Sequence, residues 1–215
     1  MDDSIRTGGN RVPPGQYVSE KWPVLTYGDT PVVAPERWTL TLSGLVEREV
    51  VLSWAALQAL PRVEVTADFH CVTRFSTLDN RWSGFSTRDV LAQARVDPEA
   101  SHVYLHCYGG YTTNLPLEDF LSQHALFVDR WNGKPLALDH GGALRLIVPH
   151  LYAWKSAKWV NGVELVAADK RGFWEENGYH TYGDPWREER FSSQETREAY
   201  QVRRRAKDLG IVPRD

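Results

Sequence analysis

Sulfur is scarce in this chain: two cysteines, Cys71 and Cys107, and a single methionine occur among 215 residues. The wide separation of the cysteines excludes a Cys-x-x-Cys redox pair and a zinc-finger spacing, and it fits a reducing compartment. No apolar run approaches the ~20 residues that cross a bilayer. The opening MDDSIRTGGNRVPPG lacks the charged-then-apolar pattern of a secretory leader, so a cytoplasmic location with no membrane span is expected. Charge of one sign is also missing. A formal net charge of -3 leaves no broad basic face for a phosphate backbone, and nucleic acid is not an expected partner. Neither G-x-G-x-x-G nor a Walker A sequence is present, and Trp82-Ser83-Gly84-Phe85 does not form a G-x-S-x-G elbow. Nicotinamide, nucleoside triphosphate and serine-hydrolase chemistry thereby lose motif support. What the chain has in excess is aromatic. Nine Trp and nine Tyr supply rigid walls, and 42% hydrophobic residues suffice for one ordinary globular domain without disulfide staples.

The N-terminal stretch to about Pro35 is rich in Pro and Gly and without period, which predicts an extended arm lying on a single domain spanning 1–215. Alternation then predicts a strand with Trp38, Leu40 and Leu42 inward, ending at Gly44. Ser53 caps a helix from Trp54 to Leu60, which Pro61 stops. The run RVEVTADFHC places Val63, Val65, Ala67, Phe69 and Cys71 on one face, with His70 on the other. Ser86 and Asp89 open a helix through about Arg95. HVYLHC predicts a strand with Val103, Leu105 and Cys107 inward, ALFVDRW another before the Asn132-Gly133 turn, and the alternating Leu144, Leu146, Val148 and Val163, Leu165, Ala167 two more. FWEENGYHTYGDPWREERF has no period and belongs to a C-terminal extension over 169–215, in which Ser193 to Leu209 reads as a solvated helix stopped by Gly210. Short strands and helices without a βαβ rhythm predict an α+β fold with mostly antiparallel sheet.

Chemistry concentrates at few residues. Cys71 closes a strand beside His70 and three residues before Arg74, a setting of positive charge that favours a thiolate for metal ligation or nucleophilic attack, whereas a buried cysteine otherwise packs as a small hydrophobe. Cys107 closes a second inward run before Tyr108-Gly109-Gly110, where backbone approaches a ligand or simply turns. His70, His102, His106 and Cys107 carry zinc's preferred donors, but His102 and His106 lie about 13 Å apart on one strand face. In DHGGALRLIVPHLYAWKSAKWV, two readings stand level. His140, Arg145 and Lys158 with the small residues Gly141, Gly142, Ser156 and Ala157 surround an anion, or Arg145 sits on the polar face of a strand among solvated charges. Arg74 likewise faces a substrate pocket as a donor fork or pairs with Asp68 or Asp79.

The runs DFHCVTRFS, NRWSGFSTRDVL, YGGYTTNLPLEDF, DHGGALRLIVPHLYAWKSAKWVNGVEL and GFWEENGYHTYGDPWREERF, in this order, resemble the molybdopterin domain of the sulfite oxidase superfamily, and most of all its short stand-alone bacterial branch. The resemblance covers about Pro23 to Phe191. It implies the mixed α+β fold of that domain and a Mo-molybdopterin oxidoreductase, in which Cys71 is the protein ligand to the metal; Arg74 is a catalytic candidate by its own position, three residues after that ligand. It implies further that His140, Arg145, Ser156, Ala157 and Lys158 grip the cofactor, that Cys107 lies near the metal, and that Tyr27, in PVLTYGDTP, belongs to an arm reaching the cofactor. A soft thiolate is a sensible ligand for a metal already held by sulfur. Cys71-Val72-Thr73-Arg74 replaces the family's C-A-G-N-R run. The implied reaction is therefore oxo transfer to or from a small oxyanion or S- or N-oxide, with an electron-transfer partner, rather than sulfite oxidation by name. Two alternatives remain: a zinc hydrolase built on His70, Cys71, His106 and Cys107, and a non-catalytic module binding pterin or a partner through FWEENGYHTYGDPW.

Overall fold

A computed structural model describes residues 11–195. In chain order its strands and helices are β1 (Tyr17–Val18), β2 (Thr39–Gly44), β3 (Val50–Ser53), α1 (Trp54–Gln58), β4 (Arg62–His70), β5 (Phe75–Ser86), α2 (Thr87–Leu91) and β6 (His102–Cys107). They continue with β7 (Thr112–Pro116), α3 (Leu117–Phe120), β8 (Leu126–Trp131), β9 (Lys134–Pro135), β10 (Arg145–Ile147), β11 (Val160–Val166) and α4 (Phe173–Glu176). One sheet runs β1-β5-β8-β10, with β4 added to β5 and β9 to β8; the other runs β3-β2-β11-β6-β7. Among the described residues only β1 with β5 and β11 with β2 pair in parallel, so the α+β, mostly antiparallel expectation is met.

The alternating strands bury the residues their period selects: Trp38, Leu40 and Leu42 on β2, and Val103, Leu105 and Cys107 on β6, enter one large apolar cluster. Ser53 Oγ accepts the Ala56 N–H at 3.2 Å as the cap of α1. At the Asn132-Gly133 turn both residues take positive φ, of 50° and 79°, the conformation a two-residue hairpin loop needs. Two helices are shorter than expected. α1 stops at Gln58, and α2 ends at Leu91 because the chain is drawn back to the second sheet, where Val96 bridges Val46 and Arg95 and Asp97 bond to Glu47 and Leu45.

Period misleads in three places. β5 carries Ser76, Thr77, Asn80 and Ser83 inward, so it has no apolar signature, yet these groups are satisfied: Asn80 Nδ2, for instance, donates to the Thr77 carbonyl at 2.8 Å. His70, assigned to the polar face, is buried because that face is covered too: its ring lies 6.3 Å from Trp186 and it bonds to Ser76 Oγ, while Ala67, Phe69 and Cys71 keep the opposite face. Arg145, also assigned to the polar side, is only 4% exposed. β10 is enclosed on both faces, with Leu144, Leu146 and Val148 joining the large cluster and Ile147 a second cluster of Trp22, Phe69, Phe75, Trp82 and Leu126. Where the helix expected from Ser193 would start, the chain makes a 3-10 turn at Ser192–Gln194 that ends in extended backbone at Glu195; the rest of that stretch lies outside the described residues.

A wholly buried ion pair holds the C-terminal stretch onto the second sheet. Lys155 Nζ lies 2.6 Å from Glu175 Oε1, with both side chains at 0% exposure. The ammonium also donates to the Asn114 carbonyl and Oδ1 and to the Thr181 carbonyl, while Glu175 accepts from Thr113 Oγ1 and Trp154 Nε1. Removing one partner leaves an uncompensated buried charge. Glu175→Ala is expected to cost about 3–5 kcal/mol, read by urea and thermal unfolding, whereas the double replacement Lys155→Met, Glu175→Leu recovers most of that loss.

Candidate active site

Cys71 stands at the tip of the β4–β5 hairpin. Its N–H donates to the Phe75 carbonyl and its own carbonyl accepts the Arg74 N–H, both at 2.9 Å, which closes a tight turn in which Arg74 takes φ 81°. The thiol is buried, and Thr73 Oγ1 donates to Sγ at 3.2 Å. Burial raises the Cys71 thiol above its usual value, and hydrogen bonds from Thr73 with the charges of Arg145 and Arg190 offset that rise only in part. The sulfur is thus shielded from water but served by cations, as a metal thiolate requires.

Arg145 brings one of those cations from β10. Its guanidinium packs 5.2 Å over Trp22 and 5.0 Å over Phe69, and Nη1 donates to the His140 carbonyl at 2.9 Å. Nε has no partner, and burial lowers the guanidinium to about 10. A buried cation with an unused donor is short of an anion. His140 stacks on Trp22 at 3.9 Å and is held below its ordinary value by burial and by Arg145. Lys158 Nζ donates to Thr26 Oγ1 at 2.6 Å and to the Asp139 carbonyl at 2.7 Å; burial first, and the Arg145 charge second, lower it to about 7. Between the two cations runs Gly141, at φ 109°, where a Cβ would press on the Lys158 and Arg145 Cβ atoms at 3.1 and 3.2 Å. Arg145 thus stands beside His140, with Lys158 within range of its charge on one side and Cys71 on the other.

Other expected residues are placed differently. Cys107 is buried within range of the Arg145 charge and far above its usual thiol value through desolvation. Ser156 and Ala157 are buried and serve the fold: Ser156 Oγ accepts the Val148 N–H, the Ser156 N–H bonds to Ala153, and the Ala157 carbonyl accepts from Leu146. Tyr27 is 71% exposed, its ring 4.9 Å from Phe173. Arg74 is exposed, and the ion pair expected with Asp68 or Asp79 is not formed, because Arg11 engages both carboxylates. The zinc set does not assemble. His70 bonds to Ser76 Oγ and burial lowers it to about 4, His106 pairs with Glu164 on the surface, and among the described residues no three His, Cys, Asp or Glu side chains are grouped to hold a metal.

Several contributors escaped the sequence reading. Trp22 roofs His140 and Arg145. Tyr179, raised by burial and by the Cys71 charge, stacks on Trp174 at 5.0 Å and lies beside Trp154. Arg190, 5% exposed, donates from Nη1 to the Val72 carbonyl at 2.7 Å. The aromatic excess hinted at the first two; nothing local marks Arg190.

These donors fit a molybdopterin. A soft thiol suits a sulfur-bound metal, and the unpartnered Arg145 Nε, the glycine passage and Lys158 suit its phosphate. Residues 27–174 match the family described as oxidoreductase molybdopterin binding domain. The uncharacterized oxidoreductase YuiH of Bacillus subtilis is 47% identical over 183 residues, covering 85% of this chain and 92% of that protein. Mitochondrial sulfite oxidase of Drosophila melanogaster is 26% identical over 76% of this chain and 32% of its own length, and the methionine-sulfoxide reductase catalytic subunit MsrP of Campylobacter jejuni is 26% identical over 69% and 55%. This chain thus spans about half or less of those two longer relatives. The sulfane dehydrogenase SoxCD of Paracoccus pantotrophus superposes with a TM-score of 0.59 at 22% identity, over 65% of this chain and 40% of that one, a likeness of fold. The chain belongs to the molybdopterin-binding oxidoreductase family of the sulfite oxidase superfamily, as an enzyme whose cofactor is Mo-molybdopterin.

Proposed function

We propose that this enzyme transfers an oxygen atom to or from a small oxyanion or S- or N-oxide, with Cys71 as the protein ligand to molybdenum. The observation that carries this reading is a shielded thiol at a hairpin tip with the buried guanidinium groups of Arg145 and Arg190 acting on it. When bound, the cofactor supplies a two-electron couple and an exchangeable oxygen. Everything else falls to the chain. Thr73 Oγ1 orients the Cys71 sulfur, Arg145 and Lys158 hold the phosphate, and the Trp22 and His140 rings exclude water from the apolar side. Arg74, beside the ligand and not engaged by Asp68 or Asp79, selects an oxygen-bearing substrate through its planar donor fork. The names of the sulfite oxidase and methionine-sulfoxide reductase relatives favour sulfur as the reacting centre. The two electrons pass to or from a separate electron-transfer partner, and two free cysteines suit work in the reducing cytoplasm.

Cys71→Ser is expected to lose the thiolate-to-metal absorption and turnover while keeping its pterin, in a protein whose wild type binds about one molybdenum per chain; metal analysis and visible spectra decide this. Charge-assisted phosphate contacts contribute roughly 1.5–3 kcal/mol each, so Arg145→Ala with Lys158→Ala should release pterin from folded protein, measured by fluorescence of the oxidised pterin. Because Lys158 is charged only below about 7, cofactor uptake by cofactor-free protein should weaken as pH rises through that value, and Lys158→Arg should remove the dependence. Arg74→Leu is expected to raise KM for sulfite, with ferricyanide as acceptor, by the equivalent of about 2–3 kcal/mol at unchanged molybdenum content; a wild-type KM assigns selection to another residue.

A further inference from the structure

The Cys71 N–H and carbonyl, the Val72 carbonyl and both backbone groups of Arg74 are tied down, and several of the ties come from outside the family-matched residues 27–174. The Cys71 N–H is held by Phe75 across the hairpin. The Cys71 carbonyl accepts from Gln16 Nε2 at 3.1 Å as well as from the Arg74 N–H, and the Arg74 carbonyl accepts the Tyr17 N–H at 2.9 Å. From the other end of the chain, Arg190 Nη1 donates to the Val72 carbonyl at 2.7 Å, and Nη2 reaches the Pro14 carbonyl at 3.4 Å. The arm and the C-terminal stretch are thus bolted to each other over the turn. Gly15, at φ 68°, brings the arm against the Glu188 carboxylate.

We propose that Arg190 is a positioning residue, which fixes the peptide planes after Cys71 and so the direction in which the sulfur meets the metal. Its side chain is 6% exposed, its flat face lies 5.0 Å over the Tyr152 ring, and its carboxylate neighbour, Glu188, stands 3.6 Å away and is half exposed. A guanidinium desolvated to this degree with mostly carbonyl partners is costly. An apolar residue of similar volume would fill the same space without that cost, so the cation is retained for what it holds. With the Cys71 N–H and carbonyl and the Val72 carbonyl all restrained, the side chain keeps essentially one torsion, χ1, which the Thr73 hydroxyl bond then limits. Ligand geometry preset in this way avoids reorganisation during turnover. Replacing Arg190 should therefore change the ligand's behaviour more than the cofactor's retention, because the phosphate grip at Arg145 and Lys158 lies elsewhere.

The inference rests on Cys71 being the protein ligand, and the test separates the two. Arg190→Met, Arg190→Lys and the surface control Arg95→Gln are compared in two forms. In cofactor-free protein, iodoacetamide labelling of Cys71 is followed by peptide mass, with the deeper Cys107 as internal reference. In holoenzyme, molybdenum content, the thiolate-to-metal band, and kcat and KM for methionine sulfoxide with reduced methyl viologen are measured. With the labelling pH raised until the Cys71 rate no longer changes, so that loss of the Arg190 charge does not count, Arg190→Met is expected to label Cys71 on the order of tenfold faster, to shift the band, and to lower kcat on the order of tenfold or more with KM and metal content unchanged. Arg190→Lys should recover part of each, and Arg95→Gln should match wild type. Wild-type labelling and band in Arg190→Met overturn the proposal, as does a raised KM at unchanged kcat, which makes Arg190 a substrate contact instead. If Arg190→Met does not fold, Gln16→Leu removes the neighbouring tie and must speed labelling, or the clamp is refuted. Should Cys71→Ser retain the band, the ligand assignment fails, while the labelling rates still judge the clamp.

Discussion

The structure turns on a guanidinium placed where apolar packing would be simpler. Arg145 sits on a strand enclosed on both faces, between Trp22 and Phe69, with one hydrogen bond to His140 and an idle Nε. Burying such a charge costs several kcal/mol unless an opposite charge meets it. Inside the described chain the groups that raise it are the two cysteine thiols and Tyr111, and the proposed function supplies what they leave short: a metal-bound thiolate on one side and a phosphate on the other.

Most of the surrounding architecture serves that requirement. The second apolar cluster exists where β4, β5, β8 and β10 face the arm, and its Trp22 touches Phe69, Trp82 and Trp131 edge-on while stacking on His140. The arm thus forms one wall of the site. Thr26 on the same arm accepts from Lys158, and Tyr27 reaches Phe173 of the C-terminal stretch. That stretch is in turn pinned by the buried Lys155–Glu175 pair. A chain of polar ties runs from Lys158 through the arm to the Cys71 turn, and an aromatic frame of Tyr152, Trp154, Tyr179 and Trp174 backs it.

The sequence was most legible where one face of an element is wet. On β2 and β6 the alternation selects the buried residues, and Ser53 caps its helix as its chemistry dictates. It was least legible where both faces are buried. β5 hides its strand character behind buried Ser, Thr and Asn, satisfied by one another, and Arg145 occupies an inward position that the rule of alternation assigns to solvent. The same gap affects the site. Cys71, Arg145, His140 and Lys158 are suggested by residue type and by likeness to a family, but Trp22, Tyr179 and Arg190 come from stretches with no period.

The sequence by itself determined the class of fold, the amphipathic strands and the strand-end position of the thiol, because each of these depends on local spacing and residue type. Only the tertiary structure decided which charges meet. Arg11, not Arg74, neutralises Asp68 and Asp79; His70 and His106 part company instead of sharing a metal; and Arg190 closes on Val72 across 118 residues of chain. Desolvation and opposite charge act through space over a few ångströms, and no pattern along the chain encodes that distance.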